Sequence, residues 1–228
     1  MDLDLLGVLG IYSRSSPLNI MLVNAQEWLI DFLRFYRELG FFEEYLHLSN
    51  KDLADLLVQI MDQHGLDLNK ECHREDYVVL GYDRKRVWAV AFDSFDSFNF
   101  HHAKDIGYGG QLHEEIVNSW ANISRGLFSP KDVRSTWQSN REQINIKFVL
   151  TNTSYCLELE PDLIMPGEDK YYGYTISTLT KLAEYLEPCL KDIEHSFTIW
   201  DLGCVAMVIF LTPHEKSIIK EIRGVKFL

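Results

Sequence analysis

Val205-Ala-Met-Val-Ile-Phe-Leu211 runs directly into Thr212-Pro-His-Glu215 and then Lys216-Ser-Ile-Ile-Lys-Glu-Ile-Arg-Gly224. Seven apolar residues without alternation read as a central strand buried on both faces. The next four residues supply a helix N-cap (Thr212), a first-position proline (Pro213) and a capping-box glutamate (Glu215). A terminal helix carrying Ile218, Ile219 and Ile222 inward then closes at Gly224. Strand and helix therefore alternate here within twenty residues, which excludes an all-helical or all-strand chain.

Working back from that stretch, Ile144, Ile146, Phe148 and Leu150 alternate with Asn145 and Lys147, the period of a half-buried strand. A polar turn at residues 151–154 leads into a partner strand at 155–159, making a hairpin. Leu179, Leu182, Ala183 and Leu186 have helical spacing, and Pro188 must end or kink that helix because it removes a donor and clashes with the preceding turn. In the middle third, Tyr77-Val-Val-Leu80 and Val87-Trp-Ala-Val-Ala-Phe92 read as two antiparallel strands joined by a longer loop. Residues 93–110 read as a loop. A helix is expected from Gln111, burying Leu112, Ile116, Val117, Trp120 and Ile123 until Gly126, and Ser129-Pro130 reads as a further helix start. The first third is helical: Trp28, Leu29, Phe32, Leu33, Phe35 and Tyr36 line one face as far as Gly40, and Leu53, Leu56, Leu57, Ile60 and Met61 line another from a Ser49 or Asn50 cap to Gly65.

The fold class expected is α+β, with N-terminal helices followed by an antiparallel or mixed sheet with packed helices. The chain reads as a single unit over residues 1–228, with a helical and hairpin part at 1–126 and a sheet-plus-helix part at 127–228 as its subdivision.

The formal charge is −12 over 228 residues, and it is unevenly placed. Residues 42–76 hold nine acids against three bases, and residues 153–195 hold nine against three. These two stretches carry the whole excess. Acidic faces repel nucleic acid and anionic membrane and steer basic partners inward, so neither nucleic acid nor membrane is an expected partner. The longest apolar run is far below the ~20 residues of a membrane span. Met1 to Gly10 carries Asp2 and Asp4 without a basic flank and does not read as a signal peptide. Four cysteines with no C-x-x-C pair argue against a zinc knuckle, and Cys156 and Cys204, inside apolar runs, read as buried free thiols. A cytoplasmic location is expected.

Candidate chemistry is sparse. Asp93, Asp96, His101, His102, Asp105 and His113-Glu114-Glu115 offer imidazole and carboxylate ligands, but their spacing matches no zinc motif and H-E-x-x-H lacks its second histidine. A metal-dependent hydrolase with a site at 93–115 is the enzyme alternative. No G-x-S-x-G elbow occurs, and Gly107-Tyr-Gly-Gly110 lacks the remainder of a phosphate loop. No cofactor is implied. The binding alternative rests on Glu158, Glu160 and Asp162 followed by Glu168, Asp169, Tyr171, Tyr172 and Tyr174, in which carboxylates that pair arginine stand beside tyrosines that give contact area at small entropic cost.

Ile123-Ser-Arg-Gly-Leu-Phe128, Trp137 ahead of the 144–150 strand, Phe210-Leu-Thr-Pro-His-Glu-Lys216 and Arg223-Gly-Val-Lys-Phe227 resemble uncharacterised bacterial α+β proteins of the toxin-immunity type. The resemblance spans residues 85–228 and brings no catalytic residue with it. It implies a non-enzymatic inhibitor that neutralises a basic, nuclease-like toxin domain by direct binding, which agrees in sign with the acidic charge.

Overall fold

The computed structural model describes residues 24–70, 74–91, 111–138, 143–160, 162–165, 171–173, 176–202 and 205–228. The architecture is α+β, in two compact units, Met1–Ala91 and Phe92–Leu228.

In the first unit, helix α1 (Ala25–Glu38) starts where the Asn24 side chain accepts the Gln26 N–H at 3.1 Å. Leu29, Phe32, Leu33 and Tyr36 repeat every three or four residues and are fully buried. Helix α2 (Asn50–Gln63) begins at the Ser49 cap and buries Leu53, Ala54, Leu57 and Met61. The rings of Trp28, Phe32 and Tyr36 succeed one another at 5.6 and 4.5 Å, and Phe41 meets Tyr36 edge-on at 5.2 Å. Arg37 closes the connection between the helices by donating to the Asn50 side chain (2.6 Å) and to the carbonyls of Tyr45 and Leu48.

The sequence expectation fails at 77–80. This segment is one helical turn, α3 (Asp76–Leu80), and not a strand, so no hairpin joins it to β1 (Val87–Ala91). A four-residue apolar run has no resolvable period. Its fate is decided by residues 81–86, where the Asp83 carbonyl accepts both the Arg86 and Val87 N–H groups and winds the chain into successive turns. The Asp83 carboxylate, 3% exposed, also accepts the N–H of Phe42 at 2.6 Å, fixing that residue at φ 58°. Arg86 lies with its guanidinium 4.5 Å from the centre of the Phe41 ring.

In the second unit, α4 (Gln111–Ile123) leads to an antiparallel meander of β2 (Lys131–Trp137), β3 (Ile144–Leu150) and β4 (Thr153–Leu159). The expected helix at Ser129-Pro130 is a strand entry instead. The Ser129 hydroxyl turns back to the Gly126 carbonyl (3.0 Å) rather than forward to cap, while the Ser124 hydroxyl accepts the Phe128 N–H and seats that ring in the core. Proline suits the start of a strand because it lacks only a ladder donor. β3 pairs with β4 around Thr151 (φ 48°) and Asn152 (φ 66°), the two left-handed residues of a tight hairpin. A short ribbon, β5 (Asp162–Met165) with β6 (Tyr171–Gly173), comes after it. Next are α5 (Ile176–Leu186), which ends before Pro188, and a 3-10 turn at Glu187–Leu190. β7 (Ser196–Asp201) pairs antiparallel with β8 (Val205–Leu211). β8 is buried from Ala206 to Leu211, as its unbroken apolar run requires. Helix α6 (Pro213–Arg223) carries the full reciprocal cap, Glu215 N–H to the Thr212 hydroxyl at 3.1 Å and Thr212 N–H to the Glu215 carboxylate at 2.7 Å.

Local geometry sets two expectations for stability. A β-branched residue in the left-handed region is strained, so Thr151→Asn combined with Asn152→Gly should stabilise the chain by roughly 1 kcal/mol in urea unfolding; an unchanged midpoint would remove the strain argument. Burial raises the Asp83 carboxyl above its ordinary value, outweighing the Phe42 and Lys85 N–H groups and Arg86, which lower it. The folded state therefore holds that proton more tightly than the unfolded state. The associated stability is present below the ordinary carboxylate pKa and is lost as pH rises through the folded one. Asp83→Asn should flatten that part of the stability–pH curve, and an unaltered slope would contradict the assignment.

Candidate functional site

The alternation of β4 turns Tyr155, Leu157 and Leu159 inward and Ser154, Cys156 and Glu158 outward. Glu158 is exposed opposite Asn145, and Glu160, just beyond the strand, accepts the Gln143 side-chain amide at 2.8 Å. The β5–β6 register sets Asp162 against Gly173, Leu163 against Tyr172 and Met165 against Tyr171. Asp162 thus lies in backbone register beside the segment carrying Tyr171 and Tyr172. Glu168, Asp169 and Tyr174 lie outside the described residues.

The two acidic stretches differ in what their carboxylates do. In the first, Asp76 accepts the Tyr36 hydroxyl (2.7 Å), Asp55 accepts the Gln26 amide (2.5 Å), Asp52 accepts the Ser49 hydroxyl (2.6 Å) and Glu44 stands 3.7 Å from Lys85. Asp76, Asp55 and Glu44 thus link separate segments of their own unit, and Asp52 is engaged locally at the start of α2. In the second, Glu184, Glu187, Asp192 and Glu194 are all exposed at the corner formed by the end of α5 and the 3-10 turn. None of these four has a hydrogen bond or ion pair among the described residues. Tyr185, 42% exposed, lies in the last turn of α5 between Glu184 and Glu187 in sequence, and one exposed base, Lys191, precedes Asp192. The corner is a solvated acidic surface with an aromatic side chain on it, the composition that suits arginine, which stacks on an aromatic face while pairing with carboxylates. Sequence reasoning counted these acids but did not place them with Tyr185. The signal was present, because Leu179, Leu182 and Leu186 define the inward face of the helix and leave Tyr185 off it.

Of the metal-site candidates, Asp93, Asp96, His101, His102 and Asp105 lie outside the described residues, as does the His113 side chain. The Gly107–Gly110 turn also lies outside them. The Glu114 carboxylate accepts the Ser135 N–H at 2.7 Å and so ties α4 to β2, while Glu115 is exposed. Among the described residues no group of three metal-ligating side chains occurs, and no helix is long and apolar enough to cross a membrane.

Cys156 corrects the expectation of a buried thiol: it is exposed, because strand parity places it on the outward face opposite Lys147. Cys204 lies outside the described residues. The Cys189 thiol is half-buried, and that burial holds it above the ordinary thiol range. Brief alkylation of the native chain should label Cys156 well before Cys189, read by peptide mass spectrometry, since reaction requires an accessible thiolate; the reverse order would contradict the outward placement. Comparison of the chain with protein-family models, with curated proteins and with solved structures finds no match in any of the three.

Proposed function

We propose that this chain is a non-enzymatic binding protein that presents an acidic surface to a basic protein partner, in the manner of an immunity protein that neutralises a nuclease-like toxin. The observation that carries this reading is the segment from the end of α5 through the 3-10 turn to β7, where Glu184, Glu187, Asp192 and Glu194 are exposed without partners among the described residues and Tyr185 is exposed in the same stretch. Carboxylates already engaged within the fold contribute little to recognition, whereas unengaged ones can form charge-assisted, bidentate pairs with arginine. Tyr185 adds the rigid aromatic area that binding hot spots favour. The exposed Glu158 and Glu160 add to the net negative charge of the chain, which accelerates encounter with a cation-rich surface.

The test is affinity capture with the tagged full-length chain, then association kinetics with the captured basic protein over a salt series. The on-rate should fall by about 10-fold or more as salt rises from low to above physiological strength, the mark of electrostatic steering. Tyr185→Ala should weaken the complex by about 10-fold, and Glu184→Lys with Glu187→Lys by more. Binding that ignores both salt and charge reversal, or capture of no basic protein, overturns the reading.

A further inference from the structure

The outward face of the β2–β3–β4 meander has the opposite charge. Register places Arg134 directly across from Lys147, and Lys147 directly across from Cys156; Lys131 stands across from Val149 in the neighbouring row. Lys131, Arg134 and Lys147 are all exposed. Side chains directly opposite on one sheet face sit about 5 Å apart at their Cβ atoms, and like charges so placed repel. Two carboxylates lie near: Asp132, at the irregular step of β2 with φ 53°, and Glu158, diagonal to Lys147. Neither forms an ion pair with the three cations, and no other acid among the described residues does. In a chain where acids outnumber bases 34 to 22, this is a face whose three cations form no ion pair among the described residues.

We propose that this face is a self-association surface whose occupant is the acidic corner of a second copy. The complementarity stands on one unit of one chain: Lys131, Arg134 and Lys147 on the meander, Glu184, Glu187, Asp192 and Glu194 on the corner, all exposed. Carboxylates from the second copy settle between Arg134 and Lys147 and relieve their repulsion. Nucleic acid fits less well, because affinity for its phosphate backbone grows with the number of phosphates neutralised, and three cations flanked by Asp132 and Glu158 neutralise few. The two surfaces differ, so the contact is heterologous, joining head to tail. Net charge of the same sign on both copies opposes their approach. Contact pairs nevertheless lie within the screening length of about 8 Å at physiological salt, and the distant repulsion does not. Association therefore passes through a maximum as salt rises. The proposal rests on the functional reading in one respect: the corner that a basic partner would take is the corner that the second copy covers, so self-association holds the site in reserve.

Sedimentation velocity of the full-length chain over a concentration series tests this. The weight-average sedimentation coefficient should rise with concentration near physiological salt, and less so at very low and at high salt. Arg134→Glu with Lys147→Glu, and separately Glu184→Lys with Glu187→Lys, should each abolish the rise. An equimolar mixture of the two variants should restore it, because each then offers the surface that the other needs, and this recovery also shows that both variants are folded. A concentration-independent monomer, variants that associate like the parent, or a mixture that stays monomeric overturns the proposal. So does a monomer whose meander face instead retains a synthetic acidic peptide or a DNA oligonucleotide. Loss of self-association with salt-sensitive capture of a basic protein intact would remove this proposal alone; loss of the capture with self-association intact would remove only the functional reading.

Discussion

Burial of one aromatic cluster governs the second unit. The Phe197 ring from β7 meets Trp120 from α4 at 4.8 Å, Phe128 from the loop after it at 5.5 Å and Phe210 from β8 at 4.6 Å; Phe128 in turn meets Phe148 of β3 edge-on at 5.9 Å. A helix, a loop, the meander and the β7–β8 hairpin thus converge on a few rings. Aromatic side chains bury roughly 150–250 Å² each and gain further from tilted and edge-on geometry. Once those rings are inside, the period of two along each strand leaves no freedom for the rest: Asn145, Lys147 and Val149, with their cross-strand neighbours, must face the other way. The charge on the outward face of the meander is a consequence of where the core sits.

Elements with a long, clean period were legible in the sequence. The 25–38 and 50–63 helices, the hairpin around Thr151-Asn152 and the strand-to-helix passage at 205–224 all combine several turns or alternations with caps that agree with them, and local agreement of this kind fixes an element before tertiary context acts. The two errors lie where the local signal was short. Tyr77 to Leu80 offered four residues, too few for a period, and the outcome turned on the Asp83 carbonyl further along. At Ser129-Pro130 the residues fit a helix start well, but Phe128 had to enter the core, and the hydroxyls of Ser124 and Ser129 close the loop in a way that delivers an extended chain. Cys156 was a different kind of error, since counting alternate positions from buried Leu159 would have placed it outside.

Candidate-site residues were less legible than the fold, for a reason specific to charge. A sequence shows how many acids a stretch holds but not which of them are engaged. Asp76 finds Tyr36 forty positions away, Asp55 finds Gln26 twenty-nine away and Asp83 finds the Phe42 N–H forty-one away. Each of these partnerships crosses between elements and leaves no local mark. Two stretches of equal formal charge consequently differ in kind: the first uses several acids to join its own segments, and the second leaves four exposed and unengaged in a segment that also exposes a tyrosine.

Net charge therefore describes this molecule poorly at short range. Beyond a screening length the chain presents its average, −12, and attracts cationic surfaces. Within that length the second unit presents a cationic sheet face and an anionic corner, and any approaching surface meets a local sign. A basic partner is drawn by the average and rewarded at the corner, so the two terms cooperate. An acidic partner is opposed by the average and rewarded only at the meander, so its binding depends on salt in a different sense. This difference of sign is what separates the two surfaces physically, because the same change in ionic strength weakens the approach to one and eases the approach to the other.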